Sequence, residues 1–333
     1  MNKKNKKLIT ILVAILTILI LVSACSTASD DDYYATDEPY LATDEPVTTD
    51  DPVISGGGSG EVTAVCMTDL NAWLNDEGGD ADITGTDIEL DEEYILVTYQ
   101  VDGDNISSPK FESSVPDELL PYQDDLDSHA RLWKFVTDVI PTENRTIVGE
   151  FIIFSDGYDN VLGAVDSADR GNKWTLEMDI IDSQDIAAMS TTLIHELGHM
   201  LTLNDDQINN KSTCSDYMSI DGCSNSDSYI NAFYNAFWTD IYDEWYGMVM
   251  TGDEPDEDLV IEFYDMYPDQ FVTDYAPTGP EEDIAESFLY FVFGPKPAGD
   301  TVAEQKILFF YDYPELVALR QSILGGLCLY AGQ

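Results

Sequence analysis

His195-Glu196-Leu197-Gly198-His199 carries the strongest chemical signal in this chain, since two imidazoles and a carboxylate stand at metal-site spacing. Positions 195 and 199 are one helical turn apart and share a face, so both rings can reach one ion. Glu196 projects beside them, where it can take a proton from a water held at the metal. The chain has three histidines in all, so chance rarely produces this spacing. The pentapeptide predicts one catalytic Zn²⁺ ion on a helix.

The first 24 residues have the organisation of a secretory signal. Lysines within residues 3–7 precede an apolar run over residues 8–22, and Val22-Ser23-Ala24-Cys25 ends it with small residues before a cysteine. This ending resembles a bacterial lipobox. The resemblance implies cleavage before Cys25 and lipidation of its thiol, hence an extracytoplasmic protein anchored by lipid to a bacterial membrane at the cell surface. An uncleaved N-terminal membrane anchor is the alternative.

Residues 25–60 follow as a tether. They have few aliphatic residues, repeat a short Asp-Glu-Pro phrase and end in Gly56-Gly57-Gly58-Ser59-Gly60, so they cannot bury enough apolar surface to fold. Residues 61–333 are long enough for one substantial domain, which we divide into an upper α+β subdomain (61–204) and a helical lower subdomain (205–333).

The charge balance excludes one class of partner. The chain has 65 acidic and 14 basic residues, a net charge of −51. This charge repels nucleic acid and anionic lipid, and its spread along the domain favours solubility or a saline habitat over steering of a cationic substrate. We expect a monomer that meets the membrane only through its lipid.

Four cysteines besides Cys25 allow three pairings, and an oxidising compartment favours disulfides. Cys214 and Cys223 bracket a short polar loop, whereas Cys66 and Cys328 lie near the ends of the domain. We therefore predict the local pair and the end-to-end pair. A thiolate metal site is the alternative, although no pair has the spacing of a zinc knuckle.

Periodicity predicts an α+β fold. Strands are expected over residues 93–101 and 147–155, with a helix over 126–140 between them. A strand over 173–181 with one polar side precedes a helix over 184–203 that Ser183 caps and that carries the zinc motif. This order resembles the N-terminal subdomain of zincins, a mixed β-sheet with an active-site helix. Helices follow over 229–250, 259–267, 281–293, 302–311 and 314–323.

Zinc in a hydrolase takes three protein ligands and leaves a position open. The remaining histidine, His129, has the setting of a surface or boundary residue, so a carboxylate is expected to complete the site. Glu282 and Glu286 are four apart on one predicted helix and share a face, with the small Ala285 between them allowing a close helix contact. A solvated acidic helix face is the alternative for this pair.

These residues resemble the peptidase domain of the anthrax lethal factor group, in which a Tyr, a six-residue gap, a ligand Glu and an Ala-Glu pair follow the two-histidine helix. The likeness covers about twenty residues and implies a zincin of the glutamate-ligand type. It makes Glu282 the third ligand, Glu286 an acceptor that orients a ligand histidine, and Tyr275 a stabiliser of the oxyanion.

Asp205 is a second candidate for the third ligand, since metzincins place theirs ten residues after the first histidine. The stretch Cys214-Ser215-Asp216-Tyr217-Met218 also resembles their Met-turn. However, that pattern wants glycine at position 202, where Thr202 resists the left-handed turn. The sequence therefore favours Glu282.

Together these features predict a membrane-tethered zinc metallopeptidase that hydrolyses peptide or protein substrates, with Glu196 as the general base. The strand over 173–181 is expected to border the cleft and to bind an extended peptide by strand addition. The alternative from another class is a surface-binding lipoprotein that keeps a zincin scaffold without cleaving anything.

Overall fold

A computed structural model of the chain describes residues 88–330 apart from 159–160, 168–172, 212, 221 and 253. The predicted signal, the tether with Cys25, and Cys66 lie outside the described residues. The described part is an α+β structure with a five-stranded mixed sheet and ten α-helices. None of its helices is both long and apolar enough to cross a membrane.

The strands are β1 (Glu89–Asp102), β2 (Asn105–Phe111), β3 (Val148–Gly157), β4 (Gly163–Ser167), β5 (Trp174–Asp179), β6 (Ile208–Asn209) and β7 (Cys223–Ser224). The sheet holds five of them in the order β2-β1-β3-β5-β4. Adjacent strands run antiparallel except for β3 and β5, which are parallel. A separate two-stranded ribbon, β6 and β7, follows the helix that carries His195 and His199.

The prediction for β5 was right about the strand and wrong about its surroundings. Thr175 and Asp179, on the side expected to be polar and solvated, are buried. Both edges of β5 are hydrogen-bonded, to β3 and to β4, so no peptide can add to it. A strand that pairs in parallel inside a sheet is normally covered on both faces, so its two sides do not alternate between buried and solvent-exposed residues. The strand at this edge of the sheet is β4, and β2 lies at the opposite edge.

The helices are α1 (Leu120–Gln123), α2 (Leu126–Val139), α3 (Thr142–Arg145), α4 (Ile186–Thr202), α5 (Tyr229–Phe237), α6 (Tyr242–Val249), α7 (Glu257–Met266), α8 (Pro280–Phe293), α9 (Val302–Phe309) and α10 (Pro314–Leu327). Two details differ from the sequence prediction. The cap of α4 is Asp185 rather than Ser183, with its carboxylate accepting from the Ala188 N–H. The helix predicted over 229–250 is interrupted at residues 238–241, where Thr239 and Asp240 are poor helix formers.

His129 was predicted to be a surface or boundary residue, and this was wrong: it is fully buried on α2. Its Nε2–H donates to the Tyr122 carbonyl, and its Nδ1 accepts from the Tyr99 hydroxyl, both at 2.8 Å. Burial lowers the pKa of His129, so the neutral ring is the stable form. Two hydrogen-bond partners therefore satisfy the buried imidazole, whose burial the sequence alone did not reveal.

The Cys214–Cys223 disulfide is confirmed and closes the loop that contains the polar turn before β7. Cys328, just after α10, is disulfide-bonded as well. Its predicted partner, Cys66, lies outside the described residues, so the end-to-end pairing stays a prediction.

Candidate metal centre

The helix α4 presents the two histidines from a firmly packed base. Its residues Leu193, Ile194 and Leu197 are buried in the core, which leaves the face with His195 and His199 towards α8. The side chains of the two histidines are 14% and 12% exposed, so both rings lie inside the protein with limited access from solvent.

A close contact between α4 and α8 brings the third group to the histidines. A Cβ atom built on Gly198 would lie 3.0 Å from the Ala285 Cα atom and 3.2 Å from its Cβ atom. Two small residues therefore face each other, and the backbones of the two helices come nearer than larger side chains allow. Ala285 provides the close approach that its size predicted.

The side chains of His195, His199 and Glu282 converge on one point. The Nε2 atoms of the two histidines are 3.0 Å apart. Glu282 Oε2 lies 3.2 Å from Nε2 of His195 and 3.3 Å from Nε2 of His199. Among the described residues, this is the one group of three or more His, Cys, Asp or Glu side chains close enough to hold a metal ion.

The shape of this triangle fits a zinc ion. Zinc binds imidazole nitrogen and carboxylate oxygen at about 2.0–2.1 Å in a tetrahedron, which separates neighbouring ligand atoms by about 3.3 Å. The three observed separations lie close to that value, and Glu282 Oε2 is shielded from solvent. Two imidazoles and one carboxylate are also a donor set that zinc accepts in proteins.

Charge holds the three side chains together. Burial opposes ionisation of His195 and His199, yet the carboxylate of Glu282 raises the pKa of both rings above the ordinary value. Burial likewise disfavours the Glu282 anion, but His199 and His195 hold its pKa well below the usual range. The carboxylate is therefore ionised and ready to bind a cation.

A second carboxylate orients His195 from behind. Glu286 Oε1 accepts from Nδ1–H of His195 at 2.7 Å, which leaves Nε2 directed at the ligand triangle. Glu286 Oε2 accepts in turn from the Thr273 hydroxyl, also at 2.7 Å. The sequence predicted Glu286 in this neighbourhood but gave no sign of Thr273, because a single threonine has no spacing that marks it.

Glu196 lies next to the triangle on the same helix and borders the edge strand. The Val165 N–H of β4 donates to its carboxylate. Burial raises the pKa of Glu196, against the opposing influence of His195 and His199. A carboxylate held in this way accepts a proton more readily than an exposed one. Val165 had no signal in the sequence, since its backbone rather than its side chain makes the contact.

Tyr275 also reaches the site. Its ring centroid lies 6.0 Å from that of His195, and its hydroxyl hydrogen-bonds to the Glu282 carboxylate. Burial and the charge of Glu282 raise the pKa of Tyr275 well above its ordinary value, so the phenol keeps its proton and remains a donor.

Asp205, the alternative third ligand, is not brought to the histidines. It lies exposed in the turn after α4, outside the metal-sized cluster of the described residues. Met218, in the stretch that resembles a Met-turn, is 43% exposed. The helix α4 continues through Thr202, a residue unsuited to the turn that would direct Asp205 inwards.

Comparison of the chain with models of protein families, with curated proteins and with solved structures found no match.

Proposed function

We propose that this protein is a zinc-dependent metallopeptidase of the glutamate-ligand type, built on a zincin-like scaffold. The convergence of His195, His199 and Glu282 with Glu196 beside them supports this proposal most directly. The N-terminal sequence supports an extracytoplasmic, lipid-anchored location, with peptide or protein chains as substrates.

His195 and His199 would hold the ion through Nε2 and Glu282 through Oε2. When bound, Zn²⁺ supplies a Lewis acid that polarises a carbonyl and makes water a nucleophile near neutral pH. Glu286 keeps the His195 proton on Nδ1, so that Nε2 stays free to bind metal.

Glu196 serves as the general base. Its carboxylate accepts the proton of the attacking water and then delivers this proton to the amine that leaves when the peptide bond breaks. The Val165 N–H donates to that carboxylate and orients it. The raised pKa of Glu196 favours uptake of the proton at neutral pH. Tyr275 donates its hydroxyl proton in a hydrogen bond to the oxyanion that develops on the carbonyl oxygen.

An extended peptide has one natural partner at this site. In the described part of the sheet the edge strands are β2 and β4, and it is β4 whose Val165 N–H meets Glu196. A substrate strand added along β4 would pass the general base, whereas the interior strand β5 is closed to it. We propose β4 as the backbone that binds substrate, in place of the strand that the sequence indicated.

Three substitutions test the proposal on the full chain. Glu196→Gln should keep bound zinc, measured by elemental analysis, and lose at least about 1,000-fold of casein hydrolysis, since both proton transfers fail. Glu282→Ala should lose zinc and activity together. Asp205→Ala is the matched control and should change neither.

The opposite results are equally clear. An active Glu196→Gln variant would refute the assignment of the base, and loss of zinc from Asp205→Ala alone would move the site to the metzincin arrangement. A wild-type protein that binds zinc but cleaves no peptide would favour the surface-binding alternative.

A further inference from the structure

The hydroxyl group of Thr273 connects the Glu286–His195 hydrogen bond with the turn that holds Tyr275. Thr273 Oγ1 donates to Glu286 Oε2 at 2.7 Å and accepts from the Ala276 N–H at 3.1 Å. Glu286 in turn accepts from His195. A continuous chain of hydrogen bonds therefore runs from the backbone at Ala276 to the ring that would bind metal.

The direction of every bond in this chain is fixed. The Ala276 N–H can only donate, so Thr273 accepts there and directs its single proton to Glu286. Glu286 then has one oxygen for Thr273 and the other for Nδ1–H of His195. Such aligned bonds strengthen one another, and they select the His195 tautomer that leaves Nε2 for the metal.

The same hydroxyl closes the turn that holds Tyr275. The hydrogen bond from the Ala276 N–H to the Thr273 hydroxyl closes a short turn that contains Tyr275. The Thr278 N–H donates to the Tyr275 carbonyl, where the following 3₁₀ turn (Ala276–Thr278) begins. Threonine and serine hydroxyls stabilise short turns in this way. The place of the Tyr275 ring therefore depends on Thr273 as well.

We propose that Thr273 is a positioning residue that couples His195, through Glu286, to Tyr275. This inference rests on the proposed function. Its content is that one side chain sets both the orientation of a metal-binding ring and the place of the oxyanion donor. Loss of its hydroxyl should therefore impair metal binding and turnover together, while the fold persists.

Thr273→Val keeps the size and β-branching of the side chain and removes the hydroxyl, so Glu286 Oε2 loses its donor and the Ala276 N–H its acceptor. Thr273→Ser keeps both hydrogen bonds. Thr239→Val is the matched control, because Thr239 is exposed and its hydroxyl donates to the Asn235 carbonyl four residues earlier, away from the candidate site.

The test measures Zn²⁺ affinity by competition with a chelator, the visible spectrum of the Co²⁺-loaded protein, kcat and KM on a casein-derived peptide, and the melting temperature without metal. Partners behind a metal-binding histidine typically affect affinity or activity by 10–100-fold. For Thr273→Val we expect about tenfold weaker Zn²⁺ binding, a shifted Co²⁺ spectrum and about tenfold lower kcat. Thr273→Ser should restore all three, and Thr239→Val should match wild type.

A second arm tests the route through Glu286. In a Glu286→Ala background, Thr273→Val should change Zn²⁺ affinity by less than about twofold, because the link to His195 is already gone. A full tenfold loss in that background would overturn the coupling. Wild-type affinity and spectrum in Thr273→Val would also overturn it, as would failure of Thr273→Ser to restore them.

These outcomes are separate from failure of the proposed function. If wild-type protein bound no zinc at this site, or if Glu196→Gln stayed active, the metallopeptidase proposal itself would fall. If wild type bound zinc and cleaved peptide while Thr273→Val behaved identically, only the role of Thr273 would be refuted.

Discussion

Replacing Lys306 by Met should strongly destabilise the helical half of the protein. Lys306 on α9 and Asp283 on α8 are both fully buried, with 2.6 Å between Lys306 Nζ and Asp283 Oδ2. The ammonium also lies 4.1 Å from the centre of the Phe271 ring, and Trp238 Nε1–H donates to the same carboxylate oxygen. Burial lowers the pKa of Lys306 and raises that of Asp283 despite their contact, which indicates how poorly this interior solvates either charge.

Methionine fills nearly the same space but leaves the Asp283 carboxylate buried without its cation. Breaking a buried pair from one side costs about 3–5 kcal/mol, whereas total stabilities are about 5–15 kcal/mol. In a domain of this size each kcal/mol shifts the melting temperature by about 2–4 °C, so a decrease of roughly 10 °C is expected. Replacing both charges, as Lys306→Met with Asp283→Leu, should recover more than half of that loss, although the Trp238 N–H then lacks its acceptor.

Calorimetry or circular dichroism on metal-free protein with intact disulfides measures the effect without a contribution from bound ions. A decrease of less than about 2 °C for Lys306→Met would refute the reasoning. So would a double variant whose loss equals the sum of the two single losses, since a buried pair must be strongly non-additive.

Three further perturbations test other parts of the structure. Wild type should be more stable than His129→Gln above pH 6.5, and this difference in unfolding free energy should decline as pH falls towards the lowered pKa of His129 in the folded state. The reason is that the unfolded chain takes up the proton at a higher pH than the folded protein does. Urea titrations at several pH values measure the difference, and a value that does not change with pH would contradict the prediction. Cys214→Ser with Cys223→Ser should cost about 2–3 kcal/mol of unfolding free energy, the entropy of opening a loop of this length, checked against reduced wild type by urea denaturation. Gly198→Val should overpack the contact with Ala285, lower the free energy of unfolding by about 1–3 kcal/mol and weaken zinc binding. Adding Ala285→Gly to the same chain should restore part of the stability and part of the zinc affinity. Unchanged stability of Gly198→Val by calorimetry would show that the two helices can separate freely.

Sequence patterns predicted the fold class and most long elements, since strong periodicity survives packing. The strands β2 and β4 escaped notice because they are short or largely exposed, with no run of apolar residues. The burial of β5 on both faces and its pairing on both edges could not be predicted either, because they depend on tertiary structure.

Within the site, residues with a fixed spacing were predictable and isolated ones were not. His195, Glu196 and His199 share a short pattern, and Glu282 stood out with Glu286 as a pair one turn apart. Thr273 and the Val165 N–H act through contacts between distant segments, so nothing local marks them. The buried position of His129 depends in the same way on Tyr99, which lies on another element.

The separation of His195 and Glu286, 91 positions along the chain, gives the helix contact at Gly198 a consequence for assembly. Until α8 docks on α4, His195 and His199 lie on one helix without the Glu282 carboxylate near them. If the site binds metal as proposed, an ion would dissociate readily from the two histidines alone. Metal affinity would then measure whether the second half of the chain has folded onto the first, and an ion retained against a chelator would report completed folding.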